Sequence, residues 1–360
     1  MEYIKEINIT EAIIHVLDNN ADEPILNEYA LDLDEEKHDF LLKHIQKCLK
    51  DEELKYGIFT QERSVVKDLS QEYLNGENNL LAVSKELAKQ MFILMRSKGS
   101  IPSCDLVVVS FTTEFGPILG IFKMDYIKNY VHTIDFVDNK LGIDIVSQIT
   151  GLPGSSQRIQ KCAFLKAIRE ENSFDLMVID KRPKTKGSKN SESGNGEAVN
   201  DENQDDGSNY FIDDFLGCII VDNERDVTKS FVKAAEKFTQ NNFAENAEKA
   251  EAVRSTIKRK LREEDNIDVK ELSEQIFPDN EEHKEKFVEF IAEQGIAENI
   301  SLDKEWIDKK LKRVRLKIDK DIDLYVDAET YHDDSRFEIQ KNGDGTINMV
   351  IKHVSNYVEK

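Results

Sequence analysis

Residues 181–209, KRPKTKGSKNSESGNGEAVNDENQDDGSN, carry almost no large apolar side chains. A segment of this kind cannot bury enough apolar surface to offset the conformational entropy that it would lose on ordering. The tract therefore predicts an interruption between two folded parts of the chain. We expect an N-terminal α+β domain over residues 1–183, a flexible hydrophilic loop or linker over 184–209, and a C-terminal region over 210–360.

Strand patterns dominate the segment before this tract. Residues 105–114, DLVVVSFTTE, are dense in β-branched side chains and predict a strand, with residues 116–125 as its hairpin partner. Residues 35–51 place apolar side chains on one face at helical spacing and predict an amphipathic helix. Because the strands do not alternate regularly with helices, the pattern predicts a mixed, mainly antiparallel sheet with helices. Further strands are predicted at 4–17, 24–33, 56–60, 131–137 and 143–153.

The segment after the tract predicts helices followed by a small antiparallel sheet. Helical patterns cover residues 226–295, and the last of them ends at Gly295, a residue type common at helix C-termini. From residue 311 the apolar period changes to two, and Asn-Gly-Asp-Gly at 342–345 separates two alternating runs. Such a tetrapeptide is typical of a β-hairpin. The chain as a whole is therefore predicted to have an α+β fold.

The charge balance limits what the surface can bind. The chain has 49 Lys and Arg residues against 71 Asp and Glu residues, and its formal net charge is -22. This balance argues against a protein whose whole surface coats nucleic acid or anionic lipid. It leaves room for a local basic patch, because charges farther apart than the Debye length of about 8 Å are largely screened at physiological salt.

Sequence signatures of catalysis and of cofactor binding are not found. The chain has no P-loop, no Rossmann glycine fingerprint, no GxSxG elbow and no HExxH pattern. Its cysteines lie far apart, at Cys48, Cys104, Cys162 and Cys218, and show no zinc-binding spacing. We therefore predict no catalytic residues, no metal site and no cofactor. Asp213 and Asp214 are adjacent, and adjacent side chains point apart on a helix. We therefore interpret them as acids at the start of a helix, near the positive end of its dipole, rather than as a catalytic carboxylate pair.

The sequence also predicts a cytoplasmic protein without a membrane partner. No apolar run approaches the ~18 residues of a membrane-spanning helix. The first residues, MEYIKEINITEAII, contain acids and lack the pattern of a signal peptide. Widely spaced cysteines in a long chain fit reduced, buried thiols.

Two basic clusters stand out against the acidic average. The first is VRSTIKRKLR at 253–262, where basic residues recur every four positions beside an apolar stripe of Val253, Ile257 and Leu261. Its candidate DNA-binding residues are Arg254, Lys258, Arg259 and Arg262. The second is KKLKRVRLK at 309–317, which holds six basic residues and no acid. Its candidate DNA-binding residues are Lys309, Lys310, Lys312, Arg313, Arg315 and Lys317.

The second cluster is the better candidate for contacts to phosphates. If it ends in a strand, Val314 and Leu316 face inward, and Arg313, Arg315 and Lys317 face outward at intervals of roughly 6–7 Å. This interval is close to the phosphate spacing along one nucleic-acid strand. No aromatic side chains interleave the cations, so the pattern predicts phosphate contacts that are largely independent of sequence, without base stacking. Six such contacts predict a loss of roughly 10³ in affinity between 50 and 200 mM salt. An ordinary solvated surface remains the alternative for each cluster.

Four collinear segments resemble the bacterial nucleoid-associated protein family (YejK/NdpA-like). They are INITEAIIHVLD at 7–18, YGIF at 56–59, YFIDDFLGC at 210–218 and KFVEFIAEQG at 286–295. The resemblance implies a non-catalytic protein that associates with DNA in the nucleoid, with contact to a type II topoisomerase as a further implied partner. We also expect the protein to be a homodimer. The aromatic side chains of YFIDDFLGC are expected to pack against the N-terminal sheet or against a second subunit.

The sequence leaves a second class of function open. An acidic surface can mimic DNA and engage the basic face of a DNA enzyme, so the alternative is a protein-interaction adaptor that modulates a type II topoisomerase and binds little DNA itself. The net charge of -22 favours this adaptor, whereas the basic clusters favour direct DNA binding. An enzyme concealed in the N-terminal domain is a third, weaker alternative.

Overall fold

The computed structural model describes residues 2–60, 64–137, 140–155, 157–181, 209–318, 321–331 and 333–356. The chain divides into two compact units, one over Glu2–Val221 and one from Asp222 onward. The predicted linker over 184–209 lies outside the described residues, apart from residue 209. Residues 210–221, which the sequence analysis assigned to the C-terminal region, pack in the first unit.

The first unit is built on a seven-stranded antiparallel sheet in the order β1-β3-β4-β7-β8-β2-β9. Three α-helices and one turn of π-helix accompany the sheet, and β5 and β6 form a separate hairpin. In chain order the elements are β1 (Asn8–Leu17), α1 (Glu35–Leu49), β2 (Lys55–Phe59), α2 (Val65–Leu74), α3 (Leu80–Lys98), β3 (Cys104–Thr113), β4 (Gly116–Asp125), β5 (Ile127–Val137), β6 (Lys140–Gly151), β7 (Lys161–Leu165), β8 (Leu176–Asp180), the π-helix (Phe211–Leu216) and β9 (Cys218–Val221). The predicted α+β fold is confirmed.

One predicted strand is wrong. Residues 24–33 form no strand and follow the edge of β1 instead, where Ile25 makes a single bridge to Val16. The only other backbone hydrogen bond between the two segments within the described residues runs from the Leu31 N–H to the Ala12 carbonyl, at 2.8 Å. The apparent alternation misled the prediction because the apolar residues of the segment do not share one buried face: Leu26 packs against the core of the first unit, whereas Tyr29 is 78% exposed.

Strand β3 is buried on both faces, and this burial explains the strong strand pattern of the N-terminal segment. On one face, Leu106 and Val108 join a core with helix α3 and the π-helix. On the other face, the Phe111 ring meets the Phe164 ring edge to face, with 6.1 Å between their centroids. A strand covered on both faces needs apolar residues at consecutive positions, which is the pattern that residues 105–111 show.

The YFIDDFLGC segment packs onto this sheet, as predicted. Phe211 and Phe215 are buried in the core of the first unit, and their rings stack with 5.5 Å between centroids. Gly217 then adopts a φ of +66°, in the left-handed region, so that the chain turns directly into β9. A side chain at Gly217 would also approach Ser64, since a Cβ there would lie 3.2 Å from the Ser64 Cβ.

His15 is a fully satisfied core residue of the first unit. It is 1% exposed, its Nε2 lies 3.0 Å from Ser84 Oγ, and its Nδ1 accepts a hydrogen bond from the Asn27 N–H at 3.1 Å. The accepting Nδ1 fixes the neutral tautomer in which Nε2 donates to Ser84. Burial, helped by the nearby Lys85 ammonium, lowers the pKa of His15 to about 4.

We expect the first unit to lose stability as the pH falls below 6.5. Since the unfolded His15 takes up a proton near pH 6.5 and the folded one only near pH 4, acidification favours the unfolded state. Lowering the pH from 7.5 to 5 should reduce the free energy of unfolding by on the order of 1–2 kcal/mol. Urea unfolding of the intact chain and of His15→Gln at both pH values checks this. An equal pH dependence in both proteins would contradict it.

The second unit begins with four helices around an aromatic core. Phe238 is 2% exposed, and its ring lies 5.1 Å from that of Phe287 and 5.7 Å from that of Phe290. These two phenylalanines come from the KFVEFIAEQG segment, which ends at Gly295 with a φ of +77°. The elements of this part are α4 (Glu224–Phe243), α5 (Ala247–Glu263), β10 (Asn266–Asp268), α6 (Val269–Ile276), α7 (Glu281–Glu293), β11 (Asn299–Ser301) and α8 (Lys304–Lys310).

Two separate hairpins follow where the sequence predicted one small antiparallel sheet. Strands β12 and β13 pair with each other, as do β14 and β15. The second hairpin turns through the predicted Asn-Gly-Asp-Gly segment, where Gly343 and Gly345 have positive φ angles. The elements are β12 (Arg313–Ile318), β13 (Ile322–Asp327), a short helix α9 (Ala328–Tyr331), β14 (Phe337–Lys341) and β15 (Ile347–Ile351).

Candidate nucleic-acid interface

Helix α5 carries the first basic cluster. The helix starts at a capped turn, where the Asn246 side chain accepts a hydrogen bond from the Lys249 N–H at 2.9 Å. Its predicted apolar stripe of Val253, Ile257 and Leu261 is buried in the core of the second unit. Four cations lie beside this stripe and are called the α5 ridge here: Arg254, Lys258, Arg259 and Arg262.

Two members of the α5 ridge are held by carboxylates of the same unit. The Arg254 guanidinium donates two hydrogen bonds to Glu236 on α4, at 2.9 and 2.7 Å. Arg259 pairs with Glu263 one helical turn away, at 3.1 Å. A bidentate arginine–carboxylate pair is among the stronger side-chain interactions. Arg254 therefore joins α5 to α4, and its charge is compensated inside the molecule.

The other two members of the ridge also make internal contacts. The Lys258 ammonium lies 5.3 Å from the centroid of the Tyr331 ring, and loss of hydration in this position lowers the pKa of Lys258. Arg262 Nη2 donates a hydrogen bond to the Leu311 carbonyl at 3.2 Å. This bond joins the end of α5 to the second basic cluster, because Leu311 lies between the cations of that cluster.

The second cluster begins at the C-terminal end of α8. The helix starts at Asp303, whose side chain accepts a hydrogen bond from the Trp306 N–H at 2.9 Å. Lys309 and Lys310 are exposed in its last turn, where cations are stabilised by the helix dipole. Lys309 also pairs with Glu305, at 2.7 Å.

Strand β12 shows the predicted alternation. Val314 is 6% exposed and packs against Val326 in a small core, whereas Arg313, Arg315 and Lys317 are exposed on the opposite face. With the exposed Lys309, Lys310 and Lys312, these three residues make six exposed cations within nine residues of the chain. The six cations at 309–317 are called the basic strip here.

The partner strand β13 brings acids to the same face, which the sequence analysis did not foresee. The antiparallel register places Arg313 opposite Asp327 and Lys317 opposite Asp323. Arg315 reaches diagonally to Asp323, with 3.3 Å between Nη2 and Oδ1. The signal was present in DIDLYVD at 321–327, because the register of a tight hairpin fixes which residues face each other.

Four cations of the basic strip nevertheless make no ion pair with any acid that the structure describes. Asp323 is occupied by Arg315, and the Asp327 carboxylate accepts the Glu329 N–H at 3.1 Å. Among the residues that the structure describes, no ion pair or side-chain hydrogen bond is made by Lys310, Lys312, Arg313 or Lys317. The strip is therefore the exposed, partly uncompensated basic surface of the second unit.

The described residues were compared with the arrangements of metal and thiol sites. No three His, Cys, Asp or Glu residues within them converge on a position that could hold a metal ion. The four cysteines are buried, and burial raises the pKa of Cys104 and of Cys218 to about 12. Neither of these two thiols is a thiolate near neutral pH. Of the Asp213–Asp214 pair, Asp214 forms an ion pair with Lys98 at 2.9 Å.

Comparison with known proteins places these observations in a family. The family model NA37, described as nucleoid-associated protein YejK, matches residues 13–359. A search of curated proteins finds no match. Among the described helices, none is long and apolar enough to cross a membrane.

Proposed function

Because the chain belongs to the nucleoid-associated protein YejK family, we propose that it binds DNA mainly through phosphate contacts made by the basic strip. The binding is largely independent of sequence, involves no catalysis and takes place in the nucleoid, with the protein as a homodimer. The observation that carries this proposal is the set of four exposed cations at 310–317 that pair with no acid among the described residues.

The geometry of β12 suits a nucleic-acid backbone. Arg313, Arg315 and Lys317 lie on one face of one strand, at intervals of roughly 6–7 Å. The two cations of the strip that do have partners can also be recruited. The pairs Lys309–Glu305 and Arg315–Asp323 are exposed, and exposed pairs of this kind are typically worth no more than about 1 kcal/mol. A phosphate can therefore replace either carboxylate at small cost.

The α5 ridge has a secondary place in this proposal. Arg254 and Lys258 hold α4 and α9 against α5, so both would have to give up internal contacts to reach a phosphate. Arg259 is exposed, and the ion pair that the described residues give it is with its helical neighbour Glu263. Arg262 lies next to the basic strip through its bond to Leu311. Arg259 and Arg262 are accordingly the members of the ridge that can extend the strip.

The acidic adaptor remains the second candidate function, favoured by the net charge of -22. In this case the chain engages the basic surface of a type II topoisomerase and binds little DNA itself. Co-purification of a topoisomerase from a lysate treated with nuclease, together with absent DNA binding by the purified chain, would favour the adaptor over direct binding.

A salt series tests the proposal for DNA directly. We expect the affinity for a random duplex to fall roughly 10²-fold between 50 and 200 mM salt if four phosphates are contacted, and roughly 10³-fold if six are. The reason is that each neutralised phosphate releases condensed counterions. Filter binding at several salt concentrations gives the slope. Two duplexes of unrelated sequence should have the same slope and similar affinities.

Two outcomes would contradict direct binding through phosphates. One is the absence of binding at 50 mM salt, and the other is an affinity that does not change with salt. A slope close to that of four contacts would assign binding to the unpaired cations alone. A slope close to that of six would show that the ion pairs of Lys309 and Arg315 open on binding.

A further inference from the structure

The hairpin of β5 and β6 is separate from the seven-stranded sheet of the first unit. The two strands pair with each other from Ile127 to Gly151. The chain enters the hairpin directly after β4 and leaves it before β7, two neighbouring strands of the seven-stranded sheet. No other described helix or strand packs extensively on it. A two-stranded hairpin alone in water is marginally stable at best.

One face of this hairpin is mainly apolar in the part whose side chains are described, with His132 and Ser147 as its polar members. Six large side chains on it are between 58% and 71% exposed. They are Tyr130, Ile134 and Phe136 on β5 and Leu141, Ile143 and Ile145 on β6. The register places Ile134 opposite Ile143 and Phe136 opposite Leu141, so the six side chains form one contiguous surface together with His132. This surface is called the hairpin face here.

The opposite face of the same hairpin differs in charge. It carries Asp135, Asp144 and Lys140, whereas the hairpin face has no Asp, Glu, Lys or Arg among the residues described at 130–136 and 141–147. A third of the chain is charged, at 33%. An exposed uncharged face of this size in such a chain calls for a partner, because contiguous apolar patches on soluble proteins mark interaction sites.

We propose that the hairpin face is the surface through which two copies of this chain pack against each other. The inference deepens the proposed function and rests on its homodimer. Two hairpin faces placed together form a four-stranded, two-layer arrangement around a twofold axis. In such an isologous contact each residue has its counterpart on the other copy. The apolar side chains of one hairpin face then meet those of the other.

The area available suits a stable dimer. The six apolar side chains expose on the order of 700 Å² per protomer, close to the ~800 Å² that each partner buries in a standard interface. Their aromatic and aliphatic character is that of the buried core of such interfaces.

A second copy is the occupant that the charges favour. Two protomers that each carry a net charge of -22 repel each other, so a self-association surface must be free of like charges, as the hairpin face is. DNA does not fit this face, because no cation on it meets a phosphate. Dimerisation here would also give the protein two basic strips, one from each copy, for binding to one duplex.

Two substitutions at adjacent residues test the proposal. Ile145→Glu places a charge on the hairpin face, where Ile145 is 71% exposed, and Val146→Glu makes a similar change at the neighbouring position on the opposite face. The intact chain is expected to have twice the monomer mass of 41.4 kDa in sedimentation equilibrium. Ile145→Glu should raise the dimer dissociation constant at least about 100-fold, because the twofold axis buries the new charge twice. Val146→Glu should leave the dimer intact.

A monomeric wild-type chain at tens of micromolar would overturn the proposal, as would an unchanged dimer in Ile145→Glu or equal dissociation of both variants.

If the wild type is monomeric, flotation with lipid vesicles tests whether lipid covers the hairpin face instead. Should Ile145→Glu not fold, hydrogen exchange of wild-type residues 130–147 decides: slower exchange at higher protein concentration supports the dimer, and unchanged exchange contradicts it. Salt-dependent DNA binding by a monomer would overturn this inference and leave the DNA proposal standing.

Discussion

Replacing Arg313, Arg315 and Lys317 by glutamine is expected to weaken the binding of a random duplex by roughly 10²- to 10³-fold at 0.1 M salt. Each of the three side chains is exposed on the outer face of β12, so each can release one phosphate's counterions on binding. Removing three contacts should also make the slope of log affinity against log salt shallower by about 2.7. Filter binding or fluorescence anisotropy across a salt series measures both quantities.

The matched control removes three exposed lysines elsewhere in the second unit. Lys249, Lys270 and Lys286 lie outside the basic strip, and their replacement by glutamine changes the net charge by the same amount. If the overall charge of the protein decided binding, both triple variants would weaken it equally. If the basic strip is the site, the control should change the slope by less than one contact. Equal slopes in the two triple variants would reject the basic strip as the DNA-binding site.

The loss of affinity should be the same for duplexes of different sequence. Contacts to phosphates position a protein on DNA but carry no base information. A loss confined to one duplex would mean that Arg313 or Arg315 contacts base edges, since arginine recognises guanine in the major groove. Comparing an AT-rich duplex with a GC-rich one separates these two modes of binding.

Much of the fold could be predicted from the sequence because the strongest signals reflect burial. The apolar run at 105–111 predicted β3, and the alternation at 313–318 predicted which residues of β12 face outward. Local patterns failed where a partner strand or helix decides the outcome. Residues 24–33 alternate like a strand, yet only a single bridge, between Ile25 and Val16, pairs them with β1 in the described structure.

The candidate site could be predicted only in part, because electrostatics depends on tertiary neighbours. The sequence shows that Arg254 is basic, but not that Glu236, eighteen positions earlier on α4, compensates it. In the same way, the acids of β13 become visible as neighbours of β12 only through the register. The pair Lys309–Glu305 is an exception, since a spacing of four residues on a helix predicts contact.

Asp180→Asn is expected to destabilise the first unit by roughly 3–5 kcal/mol. Asp180 on β8 forms an ion pair with Lys161 on β7, and the two side chains are only 4% and 5% exposed. Lys161 also lies over the Tyr210 ring, 4.6 Å from its centroid. An asparagine would leave the Lys161 ammonium buried without its counter-charge, and an unpaired buried charge costs several kcal/mol.

The chain contains a separate probe of unfolding in each of its two units. All four cysteines lie in the first unit, where they are buried, and the single tryptophan, Trp306, lies in the second. Thiol labelling in urea therefore follows the unfolding of the first unit, while tryptophan fluorescence follows that of the second. Asp180→Asn should lower the urea midpoint of thiol labelling by roughly 1–2 M. The Trp306 transition serves as an internal reference.

Two further variants separate the loss of a buried charge from the loss of an ordinary ion pair. Asp39→Asn breaks the exposed pair with Lys43, whose side chains are 54% and 59% exposed, and should cost no more than about 1 kcal/mol. The double variant Lys161→Met with Asp180→Leu removes both buried charges and should recover most of the stability, because apolar side chains of similar size avoid the cost of burying ions. If Asp180→Asn costs no more than Asp39→Asn, water reaches Lys161 and the pair is not buried in solution. If the double variant is as unstable as Asp180→Asn, packing rather than the unpaired charge accounts for the loss.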